Sequence, residues 1–375
     1  GSGDRSATSF KASTMSETMV KATGEVDAEK SAAFGGRLVG MMNDAAMMLM
    51  ASLGHRTGLF DAMSALPAST SGEIAEAAGL SERYVREWLG AMTTGGFVEH
   101  DPETKTYRLP PEYAAWLTRS APMNVAASAQ FYAVLGTAED EVVRAFRDGK
   151  GVPYSAYPRF HEVMAEESAQ TVVAGLDEHI LPLAPEFVTR LESGIDVLDI
   201  GCGAGRALMH LAARFPNSQF LGYDLSPEAV AMARSDAKSR GLNNVRYEVR
   251  DLAEMDERAA FDMITAFDVI HDQAKPDAVL ANVRRALRPA GLYLMQDISC
   301  AGRHHQDREH MFGPFLYTIS CMHCMSVSLA NGGPGLGAAW GKTKALEMIG
   351  EAGFENVNVE TLPHDPLNFY YIART

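Results

Sequence analysis

The sequence predicts an α/β fold: a seven-stranded, mainly parallel sheet with an antiparallel last strand, preceded by an α-helical winged-helix domain. Three observations predict it. Between residues 195 and 373, seven apolar strand-like runs alternate with helical segments. The first run, in DVLDIGCGAGRALMHLA, breaks into Gly201, Gly203 and Gly205 and then turns helical. Upstream, over 71–109, a helix, a tight turn, a second helix and a polar hairpin follow in order.

At 375 residues, 46% of them hydrophobic, the chain can fill two cores of ordinary size. Residues 1–32 read as a leader: Gly-Ser-Gly opens it, the first methionine is Met15, and mixed charges stand where a secretory segment would be apolar. No window reaches the roughly 18 uncharged apolar residues of a membrane span. These features predict a cytoplasmic protein away from membranes. The formal charge of −15 repels a phosphate backbone and argues against nucleic acid. The four cysteines, Cys202, Cys300, Cys321 and Cys324, are too few for a disulfide framework.

The winged-helix domain is expected over 33–121. Its first helix, 33–63, is rich in Met and Ala. The run MMNDAAMMLM suits packing into a second copy of the chain, hence a homodimer, or contact with an apolar substrate. A short helix over 73–78, a turn at Gly79-Leu80 and a helix over 82–92, capped by Ser81, come next. FVEHDPETKTYRL then makes two short alternating runs around an Asp-Pro turn. Over 71–109 seven acids oppose four bases, and the second helix carries two of each, whereas a DNA-reading helix should be basic. The module is therefore expected to build a dimer and frame a substrate pocket.

A helical section over 122–192, broken at Gly149-Lys150-Gly151 and Pro153, leads into the sheet domain, 193–375. Strands are expected at 195–200, 219–224, 245–250, 262–267, 291–297, 356–361 and 368–373. Helices are expected at 205–214, 226–240, 275–287 and 343–352. Continuously apolar strands separated by helices belong to a parallel sheet covered on both faces. The link over 363–367 is too short for a crossover, so the last two strands run antiparallel. Residues 298–342 form an insert of the length seen in substrate caps.

Open α/β sheets bind ligands outside the carboxyl ends of their strands, where the strand order reverses. Gly201, Gly203 and Gly205 stand at such an end. Asp224 closes the second strand 19 residues after Gly205, where an acid can accept hydrogen bonds from a ribose diol. Together they predict a nucleoside site. A dinucleotide fingerprint needs a small third residue, and counting from Gly201 that position is Arg206. Asp199, two residues before the turn, disfavours a pyrophosphate and favours a cation. A nucleoside with an amino or sulfonium charge is the expected ligand, and an NAD(P)-dependent reductase the disfavoured alternative.

DVLDIGCGAGRALMHLA, FLGYDLSPEAVAMAR, RYEVRDLAEM, DMITAFDVIHD and ALRPAGLYLMQD resemble, in that order, the motifs of class I, Rossmann-like S-adenosylmethionine-dependent methyltransferases. With the winged helix in front, the chain is similar to small-molecule O-methyltransferases. The likeness is close over 195–297 and looser to the C-terminus. It implies S-adenosyl-L-methionine as cofactor and S-adenosyl-L-homocysteine as product. It also implies that Gly201, Gly203 and Gly205 line the methionine moiety, that Asp199 holds its ammonium group, and that Asp224, with Leu225 beside it, holds the ribose hydroxyls. Asp251 would hold the adenine amine with Leu252 against the ring, and Phe267 and Asp268 would floor the site.

His271 and Asp272 match the His-Asp of that family's HDW motif, whose histidine removes the proton of the substrate hydroxyl. A phenol of pKa about 10 must lose its proton as it attacks a methyl carbon, and imidazole titrates near neutrality. Asp297 closes the fifth strand where the family has an orienting carboxylate. Gln273 replaces the motif's Trp, and Glu309 is the candidate for the second orienting acid. His271 also reads as a helix cap or cofactor contact, in which case positioning alone drives transfer.

Tyr154, Tyr157 and Phe160, in PYSAYPRFHEVM, resemble the family segment that closes over the site, although aromatic residues so spaced also build cores. His304, Met311, Phe315 and Trp340 are the substrate-binding candidates of the insert. Cys321-x-x-Cys324 has zinc-like spacing, with Cys300 or a histidine as a further ligand, but no second close pair accompanies it. Buried or pocket-lining thiols are therefore expected rather than a metal, with a thiophilic substrate as the remaining option. The expected function is methyl transfer to a small-molecule acceptor, at oxygen with His271 as base. The alternatives are nitrogen or sulfur methylation without a base, and a winged-helix regulator that binds S-adenosylmethionine.

Overall fold

The computed structural model describes residues 26–375, so residues 1–25 of the expected leader lie outside the described part. Helix α1, Ala28–Thr57, begins within that 1–32 segment. Among the described residues, 26–46 belong to one unit, in which Phe34, Leu38, Val39, Met41 and Met42 are exposed. Residues from Met47 onward form the other.

In this second unit, α2 (Leu59–Ser64), α3 (Ser71–Ala78) and α4 (Glu82–Thr94) precede a hairpin of β1 (Glu99–Asp101) and β2 (Thr106–Arg108). Thr70 and Glu73 start α3 with reciprocal side-chain to backbone hydrogen bonds, and Gly79, left-handed, ends it. Such a cap contributes about 1 kcal/mol. Helix α4 buries Val85, Trp88, Leu89 and Met92, one stripe at helical spacing, against Leu59, Phe60 and Ile74. The Trp88 indole N–H donates to the Met50 carbonyl at 2.9 Å. Gly54 makes room for this packing, since a β-carbon there would lie 2.6 Å from the Phe60 and Trp88 rings.

The sheet holds β3 (Asp196–Ile200), β4 (Gln219–Asp224), β5 (Val245–Val249), β6 (Phe261–Phe267), β7 (Leu287–Ile298), β8 (Asn356–Leu362) and β9 (Asp365–Arg374). Its order is β5-β4-β3-β6-β7-β9-β8; β3 to β7 pair parallel, and β9 runs antiparallel to both neighbours. Alternate residues serve opposite faces: Leu198, Ile200, Ile264 and Met295 pack on one, Val197, Met263, Leu292 and Leu294 on the other. Truncating a fully buried member such as Leu198 to Ala costs about 2–5 kcal/mol. The strand order reverses at β3, so the carboxyl ends of β3, β4, β6 and β7 meet along one edge.

Above that edge the helical section and the insert share a core. Phe131, Val134, Tyr157, Phe160 and Val163 pack with Ile319, Cys324 and Val327. Three turns of this region, Ala169–Val173, Leu176–Ile180 and Ser320–Cys324, are π-helical, a widening that sequence periodicity does not foresee. Among the described residues, no helix is long and apolar enough to cross a membrane.

Candidate active site

Gly201, Gly203 and Gly205 all adopt positive φ, +64°, +52° and +71°, as the strand turns into the helix Arg206–Arg214. Their surroundings differ. A β-carbon on Gly201 would lie 2.6 Å from Val269, and one on Gly205 would run into the Tyr247 ring, whose hydroxyl donates to the Gly205 carbonyl at 3.0 Å. Nothing lies within 4 Å of the corresponding position on Gly203. Two of the glycines thus serve packing, and the third presents bare backbone to open space. Asp224 accepts from the Gly203 N–H at 2.8 Å and from the Ser226 N–H at 2.9 Å, fixing its carboxylate beside that opening.

Asp199 is 3% exposed, accepts from the Thr265 hydroxyl at 2.7 Å, and pairs with no cationic side chain among the described residues. Burial, with the Asp224 charge adding, pushes its pKa up to about 7 despite the Thr265 hydrogen bond. Asp268 and Asp272 follow the same logic: burial pushes them up to about 7 and about 6, against the pull of His271. Asp268 sits at φ +61°, unusual for a side-chain-bearing residue, and its Oδ1 has no hydrogen-bond partner.

His271 stands on the short turn Ile270–Asp272 that follows β6. Its Nδ1 lies 2.8 Å from Asp297 Oδ1, at the end of β7, and 3.6 Å from Asp268 Oδ1. Asp297 is fully buried and also accepts from the Trp340 indole N–H at 3.1 Å and the Ile298 N–H at 2.8 Å. Burial alone would lower the imidazole pKa. The charge of Asp297, the adjacent Cys324 and the hydrogen bond to Asp297 outweigh burial and hold it well above the ordinary value. Donation from Nδ1 to Asp297 leaves Nε2 as the nitrogen able to take a proton.

The second acid beside the imidazole is therefore Asp268, which corrects the expectation for Glu309. Glu309 is exposed and lines a separate cavity of about 550 Å³ with Cys300, Asp307 and His310. Asp268 lies three residues before His271, between the end of β6 and the turn, and that spacing is the signal for it in the sequence. Asp272 hydrogen-bonds Gln273 rather than His271.

Of the other predicted residues, Leu225 is exposed, Asp251 is exposed and caps the Ala253 N–H at 2.9 Å, Leu252 is buried in the core, and Phe267 is half-buried. Tyr154, Tyr157 and Phe160 gather round His323. Phe315 packs on Phe131 and Tyr132. Met311 is four-fifths exposed and His304 lies exposed against Tyr317, so neither joins this buried group. Cys300, Cys321 and Cys324 are free thiols, and among the described residues the side chains converging with metal-like spacing are Asp268, His271 and Asp297.

Residues 45–119 match an Rv2258c-like winged HTH domain and residues 191–359 a methyltransferase domain. Curated relatives include a trans-aconitate 2-methyltransferase from Methylobacterium nodulans, 31% identical over 36% of this chain and 50% of that protein. Another is a ubiquinone biosynthesis O-methyltransferase from Bradyrhizobium, 33% identical over 28% of this chain and 41% of that protein. The chain spans half or less of the length of these relatives. Human N-acetylserotonin methyltransferase, solved in complex with SAM, superposes with TM-score 0.64 at 15% identity, covering 94% of this chain and 99% of that one. Mitomycin 7-O-methyltransferase MmcR gives 0.66 at 16%, covering 93% and 100%. An O-methyltransferase family protein from Burkholderia thailandensis gives 0.61 at 15%, covering 90% and 97%.

Proposed function

We propose that this chain, a winged helix-turn-helix domain followed by a methyltransferase domain, transfers a methyl group from S-adenosyl-L-methionine to a small-molecule acceptor. Asp199 carries this reading. It is a buried carboxylate with no cationic side chain beside it, next to a glycine turn whose Gly203 faces open space. A buried charge without a partner is costly, and the ammonium group of an amino-acid moiety is the counter-charge that fits there. A pyrophosphate would instead meet Asp199 and Asp224 and be repelled.

In this reading Asp199 holds the ammonium group, the backbone at Gly203 allows close approach, and Asp224 accepts hydrogen bonds from the ribose. Asp251, at the end of β5, takes the adenine amine, and Phe267 and Asp268 floor the site. When bound, S-adenosylmethionine supplies an electrophilic methyl group on a sulfonium. His271 takes the acceptor's hydroxyl proton at Nε2, while Asp297 and Asp268 orient the ring and stabilise its charged form. That buried pair at the strand ends favours oxygen acceptors over nitrogen or sulfur acceptors that react by positioning alone.

The bases of α4 are already paired along the helix, Arg83 with Glu87 at 2.5 Å and Arg86 with Glu82 at 3.4 Å, which supports assembly rather than DNA reading. The exposed apolar side chains of α1 support a homodimer, and the four unpaired thiols fit the reducing cytoplasm. Titration calorimetry is the test: S-adenosylmethionine and S-adenosylhomocysteine should bind and NADH should not. Uptake of NADH with indifference to S-adenosylmethionine would overturn this reading.

A further inference from the structure

His323 is 2% exposed, and both of its ring nitrogens are buried without a hydrogen-bond partner. Its ring lies face to face on Phe160, centroids 3.6 Å apart and planes 8° apart, with the edges of Tyr157 and Tyr154 at 4.7 and 5.3 Å. An imidazole in such a wall brings one donor and one acceptor, and leaving both unmet costs free energy that an apolar side chain of similar shape would avoid. The π turn Ser320–Cys324 places this ring next to the donor site: the following residue, Cys324, abuts His271, and Tyr154 feels the charges of Asp272 and Asp224. Burial and the charges of His271 and His161 push the His323 pKa down to about 3, so the ring is neutral at working pH.

We propose that His323 is the positioning residue for the methyl acceptor: stacked on Phe160 between Tyr154 and Tyr157, it hydrogen-bonds through its unmet ring nitrogens a second polar group carried by a flat aromatic acceptor next to the reacting hydroxyl. This rests on the methyl-transfer reading. The aromatic wall selects a flat ring, and the imidazole selects among flat rings the one with a donor or acceptor on the neighbouring atom.

The test measures binding rather than turnover. With the full chain saturated by S-adenosylhomocysteine, calorimetry compares phenol with catechol, 2-aminophenol and 8-hydroxyquinoline on the wild type, His323→Phe and His323→Gln. The two-group compounds should bind the wild type about tenfold more tightly than phenol, a difference of about 1.4 kcal/mol. His323→Phe should abolish that preference, and His323→Gln should restore part of it. His323→Phe should also keep S-adenosylhomocysteine affinity and melt no lower than the wild type, which separates lost recognition from lost folding. A wild type that shows no preference for the two-group compounds, binds none of the four, or keeps its preference in His323→Phe overturns the assignment. Failure of S-adenosylhomocysteine itself to bind the wild type would instead overturn the methyl-transfer reading.

Discussion

Among the three glycines of the strand-to-helix turn, the same substitution should have two different outcomes. In Gly205→Ala the new methyl group meets the Tyr247 ring in a left-handed backbone, and in Gly201→Ala it meets Val269, so both variants should lose stability, read as melting temperature. Gly203→Ala meets nothing within 4 Å and bears only the positive-φ cost of about 1 kcal/mol, so it should fold. Its defect should appear in S-adenosylmethionine affinity, because the methyl group fills the space the ligand needs. His271 offers a second comparison. As a base it must be neutral, so kcat/KM should rise with pH through a midpoint above 6.5, the direction in which Asp297 and its other neighbours move it. His271→Ala should lower kcat about 100-fold or more and leave S-adenosylhomocysteine affinity intact. An unchanged kcat would remove the imidazole from the chemistry.

Elements that bury both faces locally announce themselves, and the strands of the sheet did so: apart from Asp196, Asp199, Asp262 and Thr265, DVLDI and DMITAF are apolar, because helices cover them front and back. The turn chemistry was legible for the same reason, since three glycines in five residues leave few alternatives. The cap was not. Its core joins Phe131 and Phe160 to Ile319 and Val327, and the Tyr157 hydroxyl reaches the Met322 carbonyl across 165 residues, a pairing that no local period encodes. The π turn that carries His323 shifts the register from helical spacing, so a Cys-x-His-Cys run resembling a metal motif becomes one aromatic contact and one contact with His271. Helix α1 poses the remaining question at this scale, because Phe34, Leu38, Val39 and Met42 are exposed along a single helix. A second copy of the chain covering them predicts that Val39→Glu with Met42→Glu halves the mass in light scattering without lowering the melting temperature of the methyltransferase domain. A wild type that is already monomeric at working concentration would rule this out.

The whole molecule carries a charge of −15 and concentrates Asp199, Asp224, Asp268 and Asp272 around a site whose own cation is His271. This makes the free protein's stability fall as pH rises. Asp199, Asp268 and Asp272 have folded pKa values of about 7, about 7 and about 6, above the 3.8 of an unperturbed aspartate. Between 3.8 and those values the folded state holds protons that the unfolded state has released, so each pH unit gained costs stability. His271 acts in the same direction, its contribution being present below 6.5 and lost as pH climbs through its raised folded value. The melting temperature of the free protein should therefore be lower at pH 8 than at pH 6. A cation beside Asp199 reverses the cost by favouring the ionised carboxylate, so S-adenosylmethionine should bind more tightly at pH 8 than at pH 6 and release on the order of half a proton at pH 7. Calorimetry in buffers of different ionisation enthalpy reads that release directly as a slope. Asp199→Asn should remove the slope, weaken binding about 10- to 100-fold and raise the melting temperature of the free protein above pH 7. Binding with no proton release in the wild type would mean that the ligand's positive charge lies elsewhere.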